Sequence, residues 1–208
     1  MECYSASGNR VTLIGYNAAA LIAEAYHLKR YQMSFAPSLP DYEPYYDIVA
    51  NAPGPAIPTR SEFREMLQSL LADRFHLKIR RESKEMAVYA LVVAKDGPKF
   101  KESAPDAVFH ANHGVNGRRQ NVVATKFTME NLADDIYVDR PVVDRTGLTG
   151  AYDIKLEATP EFRMERDPQP DDIRIFQAVQ DQLGLRLVPQ KVMFEVLVVD
   201  HVEKPTQN

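Results

Sequence analysis

Cysteine is almost absent from this chain. Cys3 is the only one in 208 residues, so neither an internal disulfide nor a cysteine metal cluster can form. Long apolar runs are missing too. None approaches the roughly 18 residues that a membrane helix requires. There is no basic excess: 25 Lys and Arg stand against 29 Asp and Glu, a net charge of −4. Nucleic-acid affinity rests largely on phosphate neutralisation, so this balance argues against a nucleic-acid partner. The opening Met1-Glu2-Cys3-Tyr4-Ser5 has neither the basic nor the apolar region of a signal peptide. That leaves a cytoplasmic protein or the processed form of an exported one.

The common catalytic signatures are also lacking. There is no Gly-x-Ser-x-Gly elbow, phosphate loop, His-Glu-x-x-His or Gly-x-Gly-x-x-Gly. Cys3 has no positioned base nearby in sequence and is a poor nucleophile. His110 and His113 could share a metal on a helix, but Gly114 and Gly117 follow them and suggest a solvated loop. Asp134-Asp135 and Asp171-Asp172 are adjacent pairs. Neighbouring residues on a helix point apart, so these read as helix-end or solvated charge. Nothing here implies a metal, a cofactor or an oligomeric state.

What is present is ordinary globular composition, 45% apolar and 26% charged, enough for a sizeable core. Residues 1–10 read as loosely held, and Val11–Ile14 as a short strand. Asn17 is placed to cap a helix whose apolar face is Ala18, Leu21, Ile22 and Ala25. Strands are expected at Tyr31–Phe35 and Tyr46–Ala50. Thr59 and Glu62 have capping-box spacing, ahead of a stripe of Phe63, Met66, Leu67, Leu70 and Leu71. Leu77–Arg80 and Val88–Ala94 read as strands, with Glu82–Glu85 as a polar turn between them. Residues 96–119 look like a connector.

The element order then starts again. Val122–Lys126 is a strand, and Thr128 caps a helix carrying Met129, Leu132 and Ile136. Strands follow at Pro141–Val143 and Tyr152–Leu156. Asp171 or Asp172 is expected to cap a helix with Ile175, Phe176, Val179 and Leu183 inward, closed by Gly184. Leu185–Leu187 and Phe194–Val199 complete the set. Tyr46-Asp47-Ile48 matches Tyr152-Asp153-Ile154, and Leu77-Lys78-Ile79-Arg80 resembles Leu185-Arg186-Leu187-Val188. The expectation is an α+β fold made of two similar β-α-β-β-α-β-β units, 9–95 and 120–202, with helices packed on small mixed sheets.

Four segments resemble a large soil-bacterial family of unknown function, expanded in Acidobacteria of the Solibacter type. The first runs from Arg140-Pro141-Val142-Val143-Asp144-Arg145 through Thr146-Gly147-Leu148-Thr149-Gly150 to Ala151-Tyr152-Asp153-Ile154. The others are Met66–Phe75, Val88–Lys95 and Val198–Pro205. The resemblance implies a cell-envelope setting, because members usually carry an export signal or membrane segment ahead of this region. Some are fused to membrane peptidases of the antibiotic-sensor type. This chain departs from that pattern in having no signal and in lacking the usual first strand. In topology alone, each half also resembles the small N-terminal domain of secretins and TonB-dependent transducers, which implies a protein-interaction role.

Two groups of residues stand out as binding candidates. Arg140, Asp144 and Arg145 sit in a charged, glycine-containing turn, where a polar pocket or docking ridge competes with simple turn chemistry. Tyr42, Tyr45 and Tyr46 form an aromatic-rich patch that could hold a sugar or peptide. The leading expectation is a non-enzymatic interaction or sensory module of the cell envelope, binding a protein or peptide partner through a sheet edge. The alternatives are a hydrolase with a site between the repeats, or a carbohydrate-binding protein.

Overall fold

The computed structural model describes residues 3–36 and 44–205. The chain opens with β1 (Cys3–Ser7), β2 (Arg10–Tyr16), α1 (Ala18–Tyr26), β3 (Met33–Phe35), β4 (Tyr46–Asn51), α2 (Arg60–Phe75) and the long β5 (Lys78–Val93). It continues with β6 (Lys101–Glu102), β7 (His110–Asn116), β8 (Arg119–Phe127), α3 (Met129–Asp135), β9 (Val142–Asp144) and β10 (Tyr152–Ala158). Last come α4 (Glu161–Arg166), α5 (Ile175–Leu183) and the long β11 (Leu185–His201). The fold is α+β, as expected. Among the described residues, no helix is long and apolar enough to cross a membrane.

Two compact units result: Met1–Lys84 with Met193–Asn208, and Glu85–Val192. The expected halves, 9–95 and 120–202, divide the chain elsewhere, because β5 and β11 each contribute residues to both units.

In the first unit β1, β2 and β4 form an antiparallel sheet with β2 central. Gly8, with φ of 57°, opens the two-residue loop joining β1 to β2, as hairpin twist favours. Residues 3–10, expected to be loosely held, are therefore mostly paired strand. Asn17 Oδ1 accepts from the Ala20 amide and starts α1. Thr59 and Glu62 form the anticipated reciprocal cap of α2. The helices bury Leu21, Ile22, Phe63, Leu67, Leu71 and Phe75 against Val11 and Leu13. Each such side chain contributes about 1.5–3 kcal/mol on leaving water.

In the second unit the sheet order is β6-β10-β8-β7. Its core gathers Phe127, Met129, Leu132, Ile154, Leu156, Val179, Leu183 and Leu185. Thr128 and Asn131 cap α3 reciprocally. Gly184 ends α5 in the left-handed conformation, φ 65°. The cap of α5 is Arg174, without a side-chain bond, and neither Asp171 nor Asp172. Both are drawn instead to Arg118 and Arg119.

Residues 96–119 are not a connector. They contain β6, β7 and a hairpin loop opened by Gly117, φ 60°. Glu82–Glu85 is not a turn either, since β5 runs straight through it. The reason is cross-strand pairing with β11, its neighbour in a third sheet ordered β3-β11-β5-β9. Arg80 meets Asp200, Arg81 meets Glu195 and Glu85 meets Lys191. The partners descend in number as β5 ascends, so the ribbon is antiparallel.

Order and pairing recur. The sequence β-β-α-β-β-α-β runs through β1, β2, α1, β3, β4, α2 and β5. It runs again through β7, β8, α3, β9, β10, α5 and β11, with β6 and α4 added. Each long strand ends in a parallel pairing: β11 with β3 and β5 with β9.

Candidate functional site

The Arg140–Gly150 turn uses most of its polar atoms on itself. Arg140 lies over the Tyr89 ring, 4.8 Å to its centroid, where the ring face attracts the cation. Its guanidinium donates to Asp139 at 2.8 and 3.1 Å. This bond raises the arginine pKa and lowers that of Asp139. Asp144 Oδ1 accepts from the Thr146 amide and hydroxyl, both at 2.8 Å, and the Thr146 hydroxyl accepts from the Leu148 amide. Gly147 supplies the positive φ of 72° that closes the loop. Arg145 is the exposed member; its amide bonds the Leu91 carbonyl. Its guanidinium donates to the Asp144 carbonyl at 3.5 Å, so the turn is a fastened loop with an exposed arginine at its surface.

Tyr42 lies outside the described residues. Tyr45 is 73% exposed. Tyr46 is half-buried, its ring edge-on to Phe75 at 5.1 Å. Tyr45 is therefore the ring of this pair that faces solvent.

His110 and His113 lie on β7, not in a loop, and alternation sends their imidazoles to opposite faces. His113 reaches Asp135 at 2.7 Å. Among the described residues, no three His, Cys, Asp or Glu side chains are placed to hold a metal ion.

Sequence reasoning missed two open features, both in the second unit. The first is the outer edge of β7. Leu156 pairs Val122, while the Glu157 amide and carbonyl turn outward to the Gln182 side chain at 2.9 and 2.8 Å. Alternation then directs the main-chain groups of Val122 toward β10 and those of Asn121 and Val123 toward β7. On β7, residues 110, 112, 114 and 116 consequently bond β8, and Ala111, His113 and Val115 present their amides and carbonyls outward. This strand has seven residues without Lys, Pro or a register shift, the usual devices that blunt an edge. Exposed Val108 and Phe109 precede it, and exposed Val115 lies within it.

The second feature is a groove of about 690 Å³ lined by Lys99, Phe100, Lys101, Asp153, Lys155, Gln182 and Leu183. Asp153 is held in its wall. The Ser103 hydroxyl donates to Asp153 Oδ1 at 2.6 Å and accepts from the Lys126 amide at 2.9 Å. Lys126 is left-handed, φ 56°, where β8 shifts register against β10. The signal for this groove is invisible locally, because Lys99 and Lys101 meet Lys155 only through strand register.

From the β7–β8 hairpin loop, Arg118 fastens the segment after β10. It donates to Asp167 and Asp172 and to the Arg163 and Asp167 carbonyls. The Asp172 carboxylate is 8% exposed. Its pKa is lowered, first by the Gln169 amide and then by Arg118.

A protein-family model described as "Protein of unknown function (DUF3738)" matches residues 19–202. No curated protein and no solved structure matches the chain. The matched span takes in nearly all of α1 and the whole of β7, the 140–150 turn and β11, so this chain belongs to the family of proteins of unknown function, DUF3738.

Proposed function

We propose that the chain is a non-enzymatic interaction module that binds an extended protein or peptide segment by strand addition along β7. The observation that carries this reading is the uncovered edge itself, with outward main-chain groups at Ala111, His113 and Val115. Such an edge offers main-chain hydrogen bonds to an incoming strand, and flanking apolar side chains give that strand something to select. Val108, at 80% exposure, and Phe109 supply this apolar flank. A cell-envelope setting, in a soil bacterium, is part of the same proposal. It rests on the resemblance of the four segments quoted above.

The test is selection of binders from a displayed library of random peptides, followed by Val115→Pro. This substitution removes an outward amide and leaves the β7–β8 bonds in place. The expected outcome is loss of binding with an unchanged circular dichroism spectrum. Undiminished binding by the proline variant would overturn the reading. Fractionation of the native host checks the location: the proposal places the protein in the envelope fraction.

A further inference from the structure

The groove beside β10 carries a second and separate inference. Along the outer edge of β10 the main chain is satisfied at every station but one. The Ala151 carbonyl accepts from the Ser103 amide. Asp153 pairs with Lys101 of β6. Glu157 is closed by the Gln182 amide, which bonds both its N–H and its C=O. Lys155 lies between these, and alternation turns its amide and carbonyl to the same side as those of Asp153 and Glu157. A continuing β6 would have met it with Lys99. The chain turns away there instead, because the Lys99 amide bonds the Leu183 carbonyl and its ammonium bonds the Asp181 carbonyl. Among the described residues, Lys155 is the one residue of this edge whose outward main-chain groups have no partner.

The charge around the gap has one dominant sign. Lys99, Lys101 and Lys155 line the groove against a single carboxylate, Asp153. That carboxylate is already engaged by Ser103 and, at 3.5 Å, by Lys101. The floor is apolar, made by Leu183 and by Phe100, whose ring packs edge-on to Tyr152 at 5.1 Å. An outward N–H and C=O set among three cations and an apolar floor match a strand whose side chains alternate between carboxylate and apolar. The chain as a whole is net negative, so this positive lining is a local feature of the groove.

We infer that the groove binds an acidic, extended peptide, one residue of which pairs its main chain with Lys155 while flanking carboxylates sit on Lys99, Lys101 and the Lys155 ammonium. This site is independent of the β7 edge: Lys99→Glu/Lys101→Glu leaves β7 untouched, and Val115→Pro leaves the groove untouched.

The experiment is fluorescence anisotropy of the full chain with a labelled peptide of alternating glutamate and valine. Two N-methylated versions, blocked at the glutamates or at the valines, accompany it. The expected result is saturable binding that falls at least about tenfold in Lys99→Glu/Lys101→Glu. Only one of the two N-methyl sets should lose binding, because only alternate amides of a strand face Lys155. Circular dichroism and the melting temperature establish that the double variant is folded. Absence of binding by the parent peptide would overturn the inference. So would equal binding by the double variant, equal binding by both N-methyl sets, or displacement by an oligothymidylate of the same charge.

Discussion

Asp47 and Asp153 occupy the same station in the two units and work differently. Each follows a tyrosine and precedes a buried or half-buried isoleucine, opposite a register shift in the neighbouring strand. In the first unit Asp47 Oδ1 accepts directly from the amide of Gly15, a residue with φ of 73°. In the second, the left-handed residue is Lys126, and Asp153 reaches its amide through the Ser103 hydroxyl. The repeated Tyr-Asp-Ile is thus a latch for a bulge. The inserted serine brings β6 with it, and β6 is what turns the second edge into a groove. The teaching of the difference is that shared residues build the fold, while the residues that separate the units build the open surface.

The largest effect should come from exchanging the residues that end α2 and α5. Both are left-handed, His76 at φ 49° and Gly184 at φ 65°. A Cβ on Gly184 would stand 2.0 Å from the Gly97 carbonyl oxygen. Gly184→His should therefore cost on the order of 3 kcal/mol. His76→Gly should stay within about 1 kcal/mol of neutral. Urea unfolding of both variants measures the asymmetry, and equal costs would break it.

Next comes the latch. Ser103→Ala strands the Lys126 amide and should cost about 1–2 kcal/mol. Asp47→Ala removes one exposed bond and should cost about 1 kcal/mol or less. Thermal melts compare the two, and a larger loss at Asp47 would contradict the relay.

A smaller effect is expected from the bulge residues themselves. Lys126→Gly should stabilise by up to about 1 kcal/mol by relieving the left-handed backbone, and Gly15→Lys should cost a similar amount. Chemical denaturation reads both signs.

The smallest effect is a pH dependence. Asp172 has its pKa depressed from 3.8 by the Gln169 amide and Arg118. Its contribution is present above the unfolded pKa and disappears as pH falls through the lower folded value. Melting temperature followed downward from pH 5 should decline less steeply in Asp172→Asn than in the parent chain.

Local chemistry made the helices legible. Asn17, Thr59, Thr128 and Gly184 announce their caps because capping partners lie within a turn of them. The hairpins at Gly8-Asn9 and Gly117-Arg118 carried the same kind of signal in two-residue loops opened by glycine, and that signal was passed over. The middle of β5 was illegible for a physical reason. Residues 82–85 are exposed and polar, so they show no apolar alternation, and their pairing depends on charges more than a hundred residues away. The sites divide in the same way. Asp144 was readable as turn chemistry from Thr146 and Gly147. The meeting of Lys99, Lys101 and Lys155 depends on the β6–β10 register, and the outward groups of β7 depend on a chain of pairings through β8.

The most direct test of the interaction reading is an NMR titration of the isotopically labelled full chain with a peptide selected on it. The account predicts that the amides of Ala111, His113 and Val115 shift and become protected from hydrogen exchange, with the β1–β2–β4 sheet unchanged. Shifts confined to β1, β4 or the Tyr45 region, with β7 silent, would contradict it.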